Sequence, residues 1–256
     1  MTEGELMRKI RGEIFPGSRI DAVPYGASEG KIPARGTGGF VPSTVPTLGV
    51  FASAKTEAPT ALSQINLPPY VVGNRLIAVY QRSVGTEVPA PPGGWTAVGS
   101  NTLTTEISYG IWTRVADGSE GTKITLTPTG TIATAIALTL TNAGVPVAGT
   151  NGRLSTLTAN PPVVAPSPTP TTPGQLLISI YAVAGSGALA TAQMFAPAGQ
   201  IATALALVSG ANSLMMMLGY ETLATSSAPG TRTASTTTGA TTCHWAASGI
   251  CVPKLV

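Results

Sequence analysis

The stretch GNRLIAVYQRSVG at residues 73–85 decides the fold, because a second version of it, GQLLISIYAVAGS, begins at Gly174. Tyr80 falls on Tyr181, at an offset of 101 residues. Both stretches start at a glycine and are rich in β-branched and aliphatic residues, a pattern that predicts strands. A long fixed period of this kind indicates that the chain contains two related structural units.

The similarity continues beyond these strands. Gly110, Gly121 and Gly130 fall on Gly219, Gly230 and Gly239, all at an offset of 109. Between the two blocks, Pro92-Gly93-Gly94-Trp95 aligns with Pro197-Ala198-Gly199-Gln200 at an offset of 105. Insertions in loops account for the increase of the offset from 101 to 109 residues. The two units would form one β-sandwich apiece, or the two halves of one larger sandwich.

Composition places the chain in the all-β class. Hydrophobic residues make up 43% of the 256 residues, with 30 Gly and 22 Pro, which favours many short strands joined by turns. We therefore predict two related antiparallel β-sandwich units of jelly-roll or immunoglobulin-like type, with a short N-terminal helix and an extended arm. The predicted segments are the helix and arm (1–47), the first unit (48–160), a proline-rich linker (161–174) and the second unit (175–256).

The stretch TEGELMRKIRGEIF at residues 2–15 predicts a capped amphipathic helix. Thr2 and Glu5 have the spacing of a capping box. A helix this short needs a partner surface to be stable. The Gly/Pro-punctuated residues that follow, up to position 47, predict an extended arm, with an unattached flexible tail as the alternative. We expect the apolar stripe of the helix to be a docking interface; it consists of Leu6, Met7, Ile10 and Ile14.

Charge is scarce and unevenly distributed. Charged residues make up only 10% of the chain, well below the usual share of about 25%. Eleven of them lie in residues 1–35, and Arg153 is the only one between Ile124 and Tyr220. This favours a protein whose faces are covered by neighbours, as in a homo-oligomer, with an extracellular β-protein as the alternative. The net charge of +3 is too small and too balanced to indicate nucleic acid.

Targeting signals are missing from the sequence. Charged residues crowd the first 13 positions with no apolar segment behind them, and no window reaches 18 continuously apolar residues. We therefore expect no signal peptide and no membrane span, and synthesis in a cytoplasm. That compartment favours reduced thiols at Cys243 and Cys251. A disulfide between them would need a hairpin at residues 246–249.

Catalytic and metal-binding patterns are nearly missing too. His244, the only histidine, is adjacent to Cys243, and adjacent strand residues point to opposite faces. Together with Cys251 they offer at most three of the roughly four ligands that a zinc site needs. The sparse carboxylates show no paired spacing. We expect no enzymatic activity, no cofactor and no metal site.

The turn at residues 91–99, PPGGWTAVG, has two interpretations. In the first, Pro92 and Gly94 form a tight turn and Trp95 starts the next strand as a large apolar plug in the core. In the second, the tryptophan is exposed as a platform for a sugar. A carbohydrate-binding adhesin would then use a set of aromatic side chains, namely Tyr70, Trp95, Tyr109 and Trp112.

The segments GNRLIAVYQRSVG, PPGGWTAVG and YGIWTRVADGSEGTKITLTPTG together resemble β-sandwich units of tailed-bacteriophage structural proteins. The similarity covers residues 70–142, with a weaker copy over 172–252. Asn74 and Gln175 stand where those units usually have Asp, and the second copy lacks the tryptophan.

This resemblance implies a non-enzymatic component of the virion: a decoration, neck, tail or fibre-base protein. Residues 1–47 would dock it onto other virion proteins, and it would form a homo-oligomer. The alternative is a receptor-binding virion protein that binds carbohydrate.

Overall fold

The computed structural model describes residues 45–56, 64–83, 90–103, 107–126, 132–154, 160–186, 193–208, 212–237 and 242–256. They belong to one compact unit, Pro42–Val256. None of the described residues is helical, so this part of the chain has no helix that could cross a membrane. The predicted all-β antiparallel class is therefore confirmed. The predicted helix at residues 2–15 lies outside the described residues.

The described residues form fifteen strands. They are β1 (Thr47–Thr56), β2 (Gln64–Asn66), β3 (Arg75–Ser83), β4 (Thr96–Leu103), β5 (Ile107–Val115), β6 (Lys123–Thr125), β7 (Ala133–Thr141), β8 (Val147–Leu154), β9 (Val163–Ala165), β10 (Gln175–Ser186), β11 (Gln193–Phe195), β12 (Ile201–Val208), β13 (Asn212–Leu223), β14 (Arg232–Thr237) and β15 (Thr242–Val252).

The strands form two five-stranded sheets of the same design. The first sheet has the order β1-β7-β3-β5-β4, and the second has the order β8-β15-β10-β13-β12. Strands at equivalent positions in the two sheets follow one another in the same order along the chain. The first repeat, residues 47–141, therefore builds the first sheet and the second repeat, residues 147–252, builds the second. Two smaller sheets complete the fold, β2-β6 and β9-β14-β11.

Turn glycines confirm the internal repeat. Backbone with a positive φ strains most residues other than glycine, so such a turn favours glycine at one position. Three pairs of glycines with positive φ sit at the positions aligned from the sequence: Gly73 and Gly174, Gly94 and Gly199, and Gly121 and Gly230.

The strand register corrects one part of the sequence alignment. Ala97 pairs with Trp112 beside a β-bulge, and its counterpart Ala202 pairs with Gly219 beside an equivalent bulge. Trp112 therefore corresponds to Gly219, at an offset of 107 instead of the expected 109. The expected match between Gly110 and Gly219 fails because both glycines lie inside strands, where no turn geometry fixes their positions.

A central core lies between the two five-stranded sheets and draws on both repeats. Ile77 and Val79 of β3 pack in it together with Ile178 and Ile180 of β10. Hydrogen bonds also cross from one sheet to the other: Tyr109 Oη donates to Ser248 Oγ at 2.8 Å. Burial of these apolar faces is the main stabilising contribution that joins the repeats.

Each five-stranded sheet is covered on its outer face by one of the small sheets. Ile65 of β2 and Ile124 of β6 pack over Tyr80 and Trp112 in the first repeat. In the second repeat, the outer core contains Tyr181, Met217 and Trp245 beneath Val163 of β9 and Ala234 of β14. Strands β3 and β10 are thus buried on both faces, and the chain has four β-layers.

The proline-rich segment 161–174, predicted as a linker, forms β9 and packs on the second sheet. Gly249 N donates to Pro166 O at 2.9 Å, and a Cβ on Gly249 would lie 2.8 Å from that oxygen. Strand β8 lies in the range that the sequence assigned to the first unit, yet it pairs with β15. The reason is that β8 is the second repeat's counterpart of β1.

Candidate functional site

The predicted docking interface lies outside the described residues. This holds for all four of its side chains, Leu6, Met7, Ile10 and Ile14. Of the predicted docking segment, residues 1–47, only positions 45–47 are described, and Thr47 begins β1. The docking role therefore stays a prediction.

The turn before β4 has the geometry expected of a tight connection. Trp95 N donates to Pro92 O at 3.0 Å, and Gly94 has a φ of 79°. Trp95 is 9% exposed and belongs to the outer core of the first repeat. The second repeat copies the turn, with Gln200 N donating to Pro197 O at 3.1 Å.

The aromatic side chains considered for a glycan platform lie mostly in the interior. Trp112 is 1% exposed and stacks on Tyr80 with ring centroids 5.9 Å apart. Tyr109 is fully buried, and burial raises the pKa of its hydroxyl. Tyr70 is half-buried, and its Oη donates to Gly121 O at 2.9 Å. Trp95, Trp112 and Tyr70 pack in the outer core of the first repeat and Tyr109 in the central core, so they offer no exposed flat surface on which a sugar ring would stack.

Arg114 organises the loop that follows β5. Its Nε lies 2.8 Å from Glu120 Oε1, and its Nη2 donates to Asp117 Oδ2 at 3.0 Å and to Ser119 Oγ at 2.8 Å. Glu120 in turn accepts from Asp117 N at 2.9 Å and from Gly118 N at 3.0 Å. Charge-assisted hydrogen bonds among residues 114–120 therefore hold this loop in place.

These contacts shift the titration of the loop. Hydrogen bonds from Ser119, then the Arg114 side chain, lower the pKa of Asp117 to about 2. Burial acts to raise the pKa of Glu120, but hydrogen bonds from the backbone N–H groups of Asp117 and Gly118 and the charge of Arg114 outweigh it and lower that pKa. Both carboxylates are therefore ionised at neutral pH, as acceptors for Arg114.

Arg114 lines two open depressions. The smaller, of about 230 Å³, is bordered by Pro92, Trp95 and Glu120. The larger, of about 540 Å³, is lined by Arg75, Gly94, Thr96, Thr113, Arg114, Val115, Asp117 and Val145. Sequence patterns did not indicate the larger one, because its residues come from four separate segments of the chain.

We call Trp95, Trp112, Tyr80 and Arg114 the first corner, and their counterparts Gln200, Gly219, Tyr181 and Glu221 the second corner. In the second corner, Tyr181 Oη donates to Gln200 Oε1 at 2.7 Å. Gln200 Nε2 donates to Ser179 Oγ at 2.9 Å and to Glu221 Oε1 at 3.1 Å.

An ion pair closes the second corner. Arg232 Nε and Nη2 both donate to the Glu221 carboxylate, the latter at 3.0 Å. The two side chains are 20% and 15% exposed. The Glu221 carboxylate raises the pKa of Arg232, and burial raises the pKa of Tyr181 to about 12. Each polar group of this corner thus has a protein partner.

The cysteines and the histidine form no reactive centre in the described structure. Cys243 and Cys251 lie as buried free thiols on the continuous strand β15, and no hairpin at residues 246–249 brings them together. Burial raises the pKa of Cys251 to about 11, which keeps it a protonated, unreactive thiol. His244 is half-buried on the same strand. Among the described residues, no group of three or more His, Cys, Asp or Glu side chains is arranged to hold a metal ion.

Comparison of the chain with protein-family models, curated protein sequences and solved structures finds no match. The resemblance to phage β-sandwich units therefore rests on the quoted sequence segments alone.

Proposed function

We propose that the chain is a non-enzymatic structural component of a tailed-phage particle, of decoration, neck, tail or fibre-base type. Residues 1–47 dock it onto other virion proteins, and it assembles as a homo-oligomer. Each repeat, a five-stranded sheet with its small outer sheet, serves as a sandwich unit of jelly-roll or immunoglobulin-like type. The observation that carries this proposal is the nearly uncharged surface of the described residues.

The surface is poor in charge because most of the few charged side chains are used internally. Arg75 and Arg82 are each 7% exposed. Glu120 is 1% exposed and pairs with Arg114, while Glu221 pairs with Arg232. A protein that stays monomeric normally keeps a mixed charged surface for solubility. A surface of Thr, Ser, Ala and Gly suits a subunit that neighbouring subunits cover.

Apolar side chains on edge strands support assembly through the same surface. Val50 of β1, Val147 of β8 and Ile201 of β12 are 49%, 53% and 60% exposed. Each of these strands is the outermost of its five-stranded sheet. Edge strands offer unpaired backbone groups to a neighbour, and monomeric proteins usually protect them with charge. A glycan platform has no comparable support, since Tyr109 and Trp112 are buried.

The experiment is quantitative mass spectrometry of purified particles of the virus that encodes the chain. We expect its peptides in a fixed stoichiometric ratio to the major capsid protein. Deletion of residues 2–15 should abolish incorporation. Ile201→Lys places a charge on an exposed edge strand and should therefore lower the mass of the oligomer measured by light scattering. Val72→Lys is the matched control, because Val72 is 71% exposed but lies in a turn. Absence of the chain from particles would contradict the proposal.

A further inference from the structure

Arg75 is a buried cation whose charge the described protein does not compensate. The residue is 7% exposed, and its Nε–H group is buried with no hydrogen-bond acceptor. The structure gives it no ion pair with any described residue. Burying a charge without a partner is strongly unfavourable, because the lost hydration is not replaced. Such a group in a native structure calls for a partner.

Arg75 lines the 540 Å³ depression described above. Arg114 and Asp117 also line it, but these two pair with each other at 3.0 Å. Arg114 is further engaged by Glu120 at 2.8 Å. Of the three charged side chains that line the depression, Arg75 is the only one without an ion-pair partner among the described residues.

We infer that this depression binds a carboxylate group that carries an apolar stem, with Arg75 as its cationic partner. A planar guanidinium and a carboxylate match in shape and make charge-assisted hydrogen bonds. The hydroxyl of the exposed Thr96 is an additional donor at the rim. Val115 and Val145 are 47% and 65% exposed at the same depression and provide an apolar wall for the stem.

The charge of the depression favours a carboxylate over a doubly charged oxyanion. A single uncompensated arginine balances one negative charge. A phosphate or sulfate would bring a second charge close to Asp117, whose carboxylate also lines the depression. Like charges at this range repel, so the doubly charged ions should bind more weakly.

In the second repeat, an apolar residue occupies the position equivalent to Arg75. Arg75 corresponds to Leu176, which is 1% exposed and packs in the central core. The pairing partners correspond as well: Arg75 pairs with Val115 and Leu140, and Leu176 pairs with Thr222 and Val252. The same fold therefore accommodates leucine here, so Arg75→Leu is a variant that should fold.

The test uses the full-length chain labelled with ¹⁵N and follows the Nε–H resonance of Arg75. Sodium butyrate is titrated at pH 7 and constant ionic strength against sodium chloride and sodium sulfate. We expect a saturable shift with butyrate, at least tenfold weaker binding of sulfate, and no saturation with chloride. Equal, unsaturated shifts with all three salts, or tighter binding of sulfate than of butyrate, would overturn the inference.

Two variants complete the test. Arg75→Leu should abolish the heat of butyrate binding measured by calorimetry, with the fold checked by circular dichroism. Lys123→Ala removes one exposed positive charge from the same repeat, outside the lining of the depression, and should change butyrate affinity less than twofold. Retained binding in Arg75→Leu, or loss in Lys123→Ala, would count against the site.

Light scattering of the same proteins separates two sources of the carboxylate. If a second copy of the chain provides the group, Arg75→Leu should reduce the mass of the assembly, and butyrate should do the same to the wild type. If the ligand is a free small molecule, the mass should not change while the resonance shift persists. This inference is independent of the proposed function, because binding of butyrate can succeed whether or not the chain is found in particles.

Discussion

The same corner of the two repeats is packed with aromatic rings in the first and with hydrogen-bonded polar groups in the second. Trp95 and Trp112 fill the first corner, and Trp112 stacks on Tyr80. In the second corner, Gln200 and Gly219 stand in place of the two tryptophans. A Cβ on Gly219 would approach Gln200 Oε1 to 2.8 Å, so the glycine makes room for the amide.

This difference shows that the same backbone supports either apolar packing or a hydrogen-bonded polar network at this corner. Loss of the Trp112 ring at the position of Gly219 leaves space that the Gln200 side chain enters. The amide is stable there because Tyr181 and Ser179 bond to it. The first corner depends on apolar area, whereas the second depends on a complete hydrogen-bond network, whose members are costly to remove singly.

The largest expected effect comes from truncating the first corner. Trp95→Ala should lower the free energy of unfolding by about 3–5 kcal/mol, because a large aromatic group is removed from a packed core. Gln200→Ala should lower it by about 1–3 kcal/mol through lost hydrogen bonds. Urea denaturation followed by circular dichroism measures both, with Trp95→Phe as the milder control. Equal losses for the two alanine variants would break the comparison.

Next in size is removal of the ion pair that closes the second corner. Glu221→Ala should lower the free energy of unfolding by about 1.5–3 kcal/mol, because it leaves Arg232 without its carboxylate in a mostly covered site. The double variant Glu221→Ala/Arg232→Ala should recover part of this loss. A double-mutant cycle in urea determines the coupling energy. Strict additivity would show that the pair contributes nothing to the corner.

A smaller effect distinguishes the two turns that precede the corners. Gly199→Ala should lower the free energy of unfolding by about 1–2 kcal/mol because of the positive φ alone, since nothing lies within 4 Å of its Cβ position. Gly94→Ala should lower the free energy of unfolding by about 1 kcal/mol more than Gly199→Ala, an extra loss comparable with that of one hydrogen bond. Its Cβ would lie 2.6 Å from Arg114 Nη1, which the acidic loop holds in place. Thermal denaturation of the two variants side by side provides the measurement, and identical losses would contradict the prediction.

The smallest effect is a dependence on acid that arises from the loop after β5 in the first repeat. The pKa of Asp117 is lowered to about 2, so its contribution to stability is complete above its unfolded value near 4 and is lost as the pH falls towards 2. Asp117→Asn should therefore reduce the melting temperature at pH 6 and leave it unchanged near pH 2. The matching loop of the second repeat, residues 224–227, has no acidic residue. A constant difference across this pH range would rule out the titration of Asp117 as the cause.

Turn chemistry made the repeat predictable from the sequence. Gly94 and Gly199 each need a positive φ, so their spacing reports the fold directly. The same reasoning failed for Gly110 and Gly219, which lie inside strands. A strand glycine is selected by its neighbours, as the contact of Gly219 with the Gln200 amide shows, and its spacing carries no turn geometry.

The arrangement of layers was beyond prediction for a different reason. All nine residues of β3 are buried, including Arg75, Gln81 and Arg82. A strand covered on both faces lacks the alternation of polar and apolar residues that identifies a core face. The polar residues in β3 therefore suggested no burial, and the depression at Arg75 had no signal in the sequence. The contacts of the proline-rich segment with the second sheet also had no signal in the sequence, because they depend on distant glycines such as Gly249.

The shared central core has a consequence for the order of events during synthesis. Its contacts join residues far apart in the chain, such as Tyr109 with Ser248, 139 positions away. Folding dominated by such non-local contacts takes milliseconds to seconds. On the ribosome the delay is longer, because the first sheet is complete at Thr141 and its partner only at Val252. At about 5–20 residues per second, the inner face of the nascent first sheet waits roughly 5–20 s for its cover. Throughout that interval it is a target for chaperones and for pairing with a neighbouring nascent chain.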